Sequence, residues 1–131
     1  MEFLGKKSTI AATPSTRHKG QAAEDRALVH LQAAGLRLLA RNYRPPGRGG
    51  GEIDLIVLAP DGTVVFVEVR SRNRRDFGGA AASISLAKQR RIVFAARHYL
   101  MRLASPPPCR FDAILLDGEQ LEWIRGAFDA G

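Results

Sequence analysis

A single cysteine, Cys109, denies the chain any internal disulfide framework, which excludes a stapled secreted scaffold and fits a reducing cytoplasm. Aromatic residues make up only 7% of the sequence and nowhere form a stacking platform for single-stranded nucleic acid. No apolar run approaches the roughly 18 residues of a spanning helix, and no amphipathic segment carries an exposed aromatic stripe, so no membrane partner is expected. The first residues are basic but have no continuous apolar core of signal-peptide length. Zinc-ligand spacings, a helix-turn-helix, a GxxxxGK[ST] phosphate loop and internal repeats are all missing. Acidic residues are scarce too: 13 Asp and Glu stand against 20 Lys and Arg, a formal net charge of +7. With a pI near 10.5, the domain attracts polyanions, nucleic acid first.

Because acids are few, their placement is informative. The stretch GEIDLIVLAPDGTVVFVEVR, residues 51–70, has two apolar arms around the turn signal Pro60-Asp61-Gly62 and reads as a β-hairpin. Centred on Asp61, it sets Asp54 opposite Glu68 and Glu52 opposite Arg70, all four on one face at the open end. Like charges directly opposed across a pair of strands are destabilising, and a divalent cation is the obvious compensation. The arms are apolar on both faces. Ile53, Leu55, Val57, Val65, Val67 and Val69 share one side, and Ile56, Leu58, Val64 and Phe66 the other. Such a pair belongs inside an α/β sheet covered by helices on both sides.

The chain of 131 residues fits one domain, residues 18–125, between a flexible tail of residues 1–17 and a C-terminal tail of residues 126–131. From Lys19 to about Ala34 the spacing of Ala27, Leu28, Leu31 and Ala34 predicts a helix stopped by Gly35, with Glu24 on its inward stripe. That carboxylate is either an ordinary residue of the helix start or part of the acid cluster. A first strand is expected over Leu36–Tyr43, followed by the loop PPGRGGG. After the hairpin, SRNRRDFGGAAAS presents Arg72, Arg74 and Arg75, whose guanidinium forks suit phosphate oxygens. Ser83 or Ser85 can cap a second helix to about Leu103, with Ile92, Ala95, Ala96, Tyr99 and Leu103 inward and Lys88 opening that stripe toward the sheet. Arg90, Arg91, Arg97 and Arg102 lie on its other faces and add to the basic field. Three consecutive prolines stiffen the next connection. Phe111–Leu116, the turn Asp117-Gly118 and Leu121–Arg125 then read as a closing hairpin.

Asp54, thirteen intervening residues and Glu68-Val69-Arg70 resemble the D…(E)xK pattern of the PD-(D/E)xK nuclease superfamily, with arginine at the lysine position. More phrases agree: KGQAAEDRALVHLQAAGL, GGEIDLIVL, VFVEVRSR, the FGG turn, KQRRIVFAARHYL and FDAILL. Over about residues 18–125 the chain is similar to the YraN-like family of small endonuclease-like proteins. The resemblance implies an α/β, restriction-endonuclease-like fold, a mixed β-sheet flanked by helices and related to Holliday-junction resolvases. It implies that Asp54, Glu68 and the helix acid Glu24 bind Mg²⁺ or Mn²⁺, and that Arg70 stands where such nucleases carry lysine. Glu52 matches the acid of the family's GEID phrase and either joins the site or pairs with Arg70.

The activity implied is metal-assisted hydrolysis of a phosphodiester, with nucleic acid, DNA in the first place, as partner and a symmetric homodimer as in resolvase-like relatives. Arg70 stays protonated and cannot act as a base. Three readings follow: an active endonuclease in which Arg70 acts electrostatically or Lys88 supplies an amine, a nucleic-acid-binding protein with a weakened site, and a structural or interaction domain.

Overall fold

The hydrophobic periodicities become seven elements in the computed structural model, which describes residues 16–47, 49–71 and 84–130. In chain order these are α1 (Thr16–Ala33), β1 (Arg37–Tyr43), β2 (Ile53–Leu58), β3 (Val64–Ser71), α2 (Leu86–Leu100), β4 (Cys109–Asp117) and β5 (Gln120–Phe128). The strands form one mixed sheet in the order β1-β2-β3-β4-β5. Neighbours run antiparallel except β3 and β4, which are parallel. Parallel strands cannot be joined by a tight turn, and α2 lies in the long crossover between them. This is the α/β architecture expected, a mixed sheet with helices.

The central hairpin has the register its turn predicts. Leu55 pairs with Val67, Ile56 with Phe66, Val57 with Val65 and Leu58 with Val64, all centred on Asp61. At the turn Asp61 Oδ1 accepts from the Thr63 N–H at 3.0 Å, and Gly62 takes a left-handed φ of 93° that a side chain would resist. The paired register ends at Leu55 and Val67, and Asp54 and Glu68 follow directly at the open end.

Both faces of this hairpin are covered. Leu55, Val57, Val65 and Val67 pack with Ile114, Leu116 and the α1 residues Ala27 and Leu31. Ile56, Val64, Phe66 and Phe111 pack with Ile92, Val93, Ala95, Ala96 and Tyr99 of α2. Each large apolar side chain so buried contributes roughly 1.5–3 kcal/mol relative to exposure. Ile53 departs from strict alternation: it begins its strand and joins the α2-side cluster instead of following Leu55 and Val57. The α2-side layer continues as an aromatic ladder, Phe66 stacking on Phe111 at 5.4 Å and Phe111 on Phe128 at 4.9 Å.

Several boundaries differ from the sequence reading. The first helix starts at Thr16, inside the segment read as a tail. Ala34 is exposed in the turn beyond it. The second helix ends at Leu100, which leaves Leu103 exposed and not on the inward stripe. Its cap is Ser85, whose Oγ accepts from the Lys88 N–H at 3.1 Å; Ser83 lies outside the described residues. The closing hairpin is longer than predicted, and Gly126–Phe128, read as the start of a tail, belongs to β5. A bulge explains it: the register shifts between Phe111 and Ala113, Gly126 takes φ 62°, and Phe128 pairs with Phe111. Among the described residues no helix is long and apolar enough to cross a membrane.

Candidate active site

The open end of the β2–β3 hairpin meets the first halves of both helices. Two glycines help to seat it. The Gly51 N–H donates to Arg91 O of α2 at 3.2 Å, and a Cβ on Gly50 would stand 2.5 Å from the Pro45 ring and 3.0 Å from Phe94. The glycines of PPGRGGG therefore let the loop lie directly on α2, which fixes where β2 begins and where Asp54 stands.

A cavity of about 370 Å³ opens there, lined by Gly20, Ala23 and Glu24 of α1, Asp54, then Glu68, Val69 and Ser71 of β3, and Lys88 of α2. Four of the residues singled out from sequence, Glu24, Asp54, Glu68 and Lys88, thus share one cavity. Glu68 is 6% exposed although it is charged. Its Oε2 lies 3.6 Å from Lys88 Nζ and 3.8 Å from Arg70 Nη1, so two cations approach one oxygen. Asp54 Oδ2 accepts from the Val69 N–H at 2.8 Å, which holds its carboxylate against β3.

Burial pushes the Asp54 carboxyl up to about 8, and the adjacent Glu68 charge adds to this against the Val69 N–H and Lys88. Glu68 is also raised, again chiefly by burial, although Lys88 and Arg70 pull it down. These two acids therefore sit in a state that an added positive charge would relieve. Lys88 is itself unusual, since a cation in the first turn of a helix opposes the helix dipole; the Glu68 carboxylate offsets that penalty.

Glu24, 8% exposed, reaches the cavity wall from α1 but already has partners: Arg41 Nε at 3.2 Å and Asn42 Nδ2 at 3.0 and 3.1 Å. Among the described residues no three carboxylate, imidazole or thiol side chains converge tightly enough to enclose an ion unaided. The donor set fits Mg²⁺ or Mn²⁺ in another way, because a hydrated ion of this kind needs only one or two carboxylates and keeps several waters. Asp54 and Glu68 are the two carboxylates that would hold it.

Glu52 precedes β2 and lines an adjoining cavity of about 210 Å³ with Gly20, Gln21, Glu24 and Asn42. The described ion pair of Arg70 goes to Glu68, not to Glu52. Arg90 and Arg91 are exposed on α2 outside the acidic cavity, Arg90 in a groove with Phe94 and Arg97. Arg72, Arg74 and Arg75 lie outside the described residues. Sequence reasoning missed Arg41 and Asn42. It also missed Asp112, a fully buried carboxylate that accepts from Arg110 Nε, Trp123 Nε1 and the Gly126 N–H. Asp112 had the same signal as Asp54, an acid in an oily strand.

Fold and cavity together define an α/β protein with a mixed sheet whose central hairpin carries a carboxylate pair beside a lysine and an arginine. The chain belongs to the uncharacterised protein family UPF0102, whose model matches residues 23–116, and this is the YraN-like family that the sequence resembles. A UPF0102 protein of Paracidovorax citrulli (strain AAC00-1) is 70% identical over 135 residues and covers 100% of both chains. One from Acidovorax sp. (strain JS42) is 66% identical over 131 residues, covering 99% of each. Among solved structures, "Structure of EndoMS-dsDNA2 complex" is similar with a TM-score of 0.40 and 15% identity, over 88% of this chain and 42% of that one.

Proposed function

We propose that this protein is a divalent-metal-dependent endonuclease that hydrolyses phosphodiester bonds in nucleic acid, DNA in the first place. The observation that carries the reading is the shared cavity, in which Asp54 and the buried Glu68 stand together with Lys88 within 3.6 Å of Glu68. The net charge of +7 supports a polyanionic substrate. A bound Mg²⁺ or Mn²⁺ would polarise a phosphoryl oxygen and lower the pKa of water. Asp54 and Glu68 would hold it.

The remaining roles belong to the cations. Arg70 offers fixed positive charge and hydrogen-bond donors to a phosphate but keeps its proton. Lys88 presents a primary amine to the same carboxylate oxygen, and this makes it the residue that takes over the lysine's role of positioning the nucleophile and stabilising charge. The helix thus supplies what β3 lacks at position 70. Arg90 and Arg91, with Arg72, Arg74 and Arg75, would contact backbone phosphates.

The test is a cleavage panel of junction, flap, single-stranded and duplex substrates with Mg²⁺ and with Mn²⁺. Cleavage that requires the metal and is lost in Glu68→Ala is expected. Salt-sensitive binding with no cleavage of any substrate would instead make the protein a nucleic-acid-binding relative with a weakened site.

A further inference from the structure

Among the described residues, one non-glycine residue has a left-handed backbone, Asn42 on β1 at φ 53°. This conformation costs most residues roughly 1–2 kcal/mol, and Asn is among those that tolerate it best. An outlier of this kind calls for a reason.

The reason lies in where two neighbouring side chains go. In a regular strand Arg41 and Asn42 would project to opposite faces. Here both reach Glu24: Arg41 Nε donates to Oε1 at 3.2 Å, and Asn42 Nδ2 donates to Oε1 and Oε2 at 3.0 and 3.1 Å. A carboxylate only accepts, so the amide nitrogen must be the atom that faces it. Glycine would adopt φ 53° without strain but brings no donor. What this position requires is therefore the amide.

Docking of α1 onto the sheet has other bonds to serve it. Arg41 already performs that task, with Nη2 on Gln21 O at 3.0 Å and Nη1 on Asp25 at 2.7 Å. Both bonds from Asn42 Nδ2 instead end on Glu24, which lines the acidic cavity with Asp54 and Glu68. The β1–β2 register, Arg41 with Leu55 and Tyr43 with Ile53, puts Asn42 beside Asp54.

We infer that Asn42 is a positioning residue: its left-handed backbone turns the amide onto Glu24 and fixes that carboxylate as the third negative group lining the cavity. The inference rests on the metal-binding reading of the site. Glu24 does not join Asp54 and Glu68 as a close ligand; it is held where a hydrated divalent cation meets its charge. Outer partners of this kind typically change metal affinity by 10- to 100-fold when removed.

The experiment measures Mn²⁺ affinity by electron paramagnetic resonance of the free ion, together with thermal melting of the metal-free protein. Wild type, Asn42→Gly, Asn42→Asp, Glu24→Gln and the Asn42→Gly/Glu24→Gln double variant are compared. Asn42→Gly relieves the backbone strain but removes two bonds to Glu24; titrated at a temperature where its melt shows it folded, it is expected to bind Mn²⁺ about tenfold more weakly. Asn42→Asp keeps the shape but turns an acceptor toward Glu24, and should lose at least as much. The double variant should be no weaker than Glu24→Gln alone, because Asn42 acts through Glu24. Unchanged Mn²⁺ affinity in Asn42→Gly and Asn42→Asp, or losses that add in the double variant, would overturn the inference and leave the metal site standing. A wild-type protein that takes up no Mn²⁺ would remove both.

Discussion

At the scale of the residue, two buried acids with a similar sequence signal behave differently. Asp112 has its acceptor capacity filled by Arg110, Trp123 and Gly126, so it is a structural carboxylate. Asp54 faces Glu68 with the Val69 N–H as its backbone donor, and its carboxyl is pushed up to about 8. The sign of the pH effect follows. Between about pH 4 and pH 8 the folded, metal-free protein holds more protons than the unfolded chain, so its stability falls as pH rises through that window. Asp54→Asn removes the ionising group while leaving an oxygen to accept the Val69 N–H. Metal-free Asp54→Asn at pH 8 should therefore be more stable than wild type, by about 1 kcal/mol or more. It should also lose the stabilisation that Mn²⁺ gives wild type; thermal melts with and without Mn²⁺ check both. Lys88 and Arg70 separate in the same way: Lys88→Ala should abolish most cleavage, whereas Arg70→Lys should retain or raise it in the same assay.

At the scale of the element, the hairpin was the most legible part of the chain. Period-two alternation around a Pro-Asp-Gly turn specifies a register, and a one-residue slip would turn every side chain over. That is why Asp54 and Glu68 could be brought to one end of the hairpin from sequence, and why Lys88, four residues before Ile92 on a helical stripe, could be placed on the sheet side. What could not be read depends on irregular backbone. A left-handed Asn in β1 has no sequence signature that separates it from an ordinary strand residue. Gly126 read as the start of a tail because its φ of 62° serves a bulge that only the β4 partner defines. Asp112 stands in that bulge, and Asp112→Ala should destabilise the protein by about 2–4 kcal/mol by leaving the Trp123 and Gly126 donors unpaired. Mn²⁺ affinity at a temperature where the variant is folded should be unchanged, because Asp112 does not line the acidic cavity. Denaturant melts paired with Mn²⁺ titration make that comparison.

At the scale of the whole molecule, 20 basic residues against 13 acidic ones give the chain a formal net charge of +7, while the cavity is lined by Glu24, Asp54 and Glu68. On the proposed function, basic side chains would bind the phosphate backbone and the acids would bring a metal to it. Nucleic-acid affinity should therefore fall steeply with salt, with a linear slope of log K against log salt that reports the phosphates neutralised. Anisotropy titrations at several salt concentrations measure it, and affinity indifferent to salt would deny the basic side chains a role in binding.

The central claim is that Asp54 and Glu68 form a divalent-cation site. Calorimetric titration of wild type, Asp54→Asn and Glu68→Gln with Mn²⁺ tests it most directly. Saturable binding by wild type, strengthening as the pH is raised toward 8 and lost in both variants, is the predicted result. Absence of binding by wild type, or equal binding by all three proteins, would contradict it.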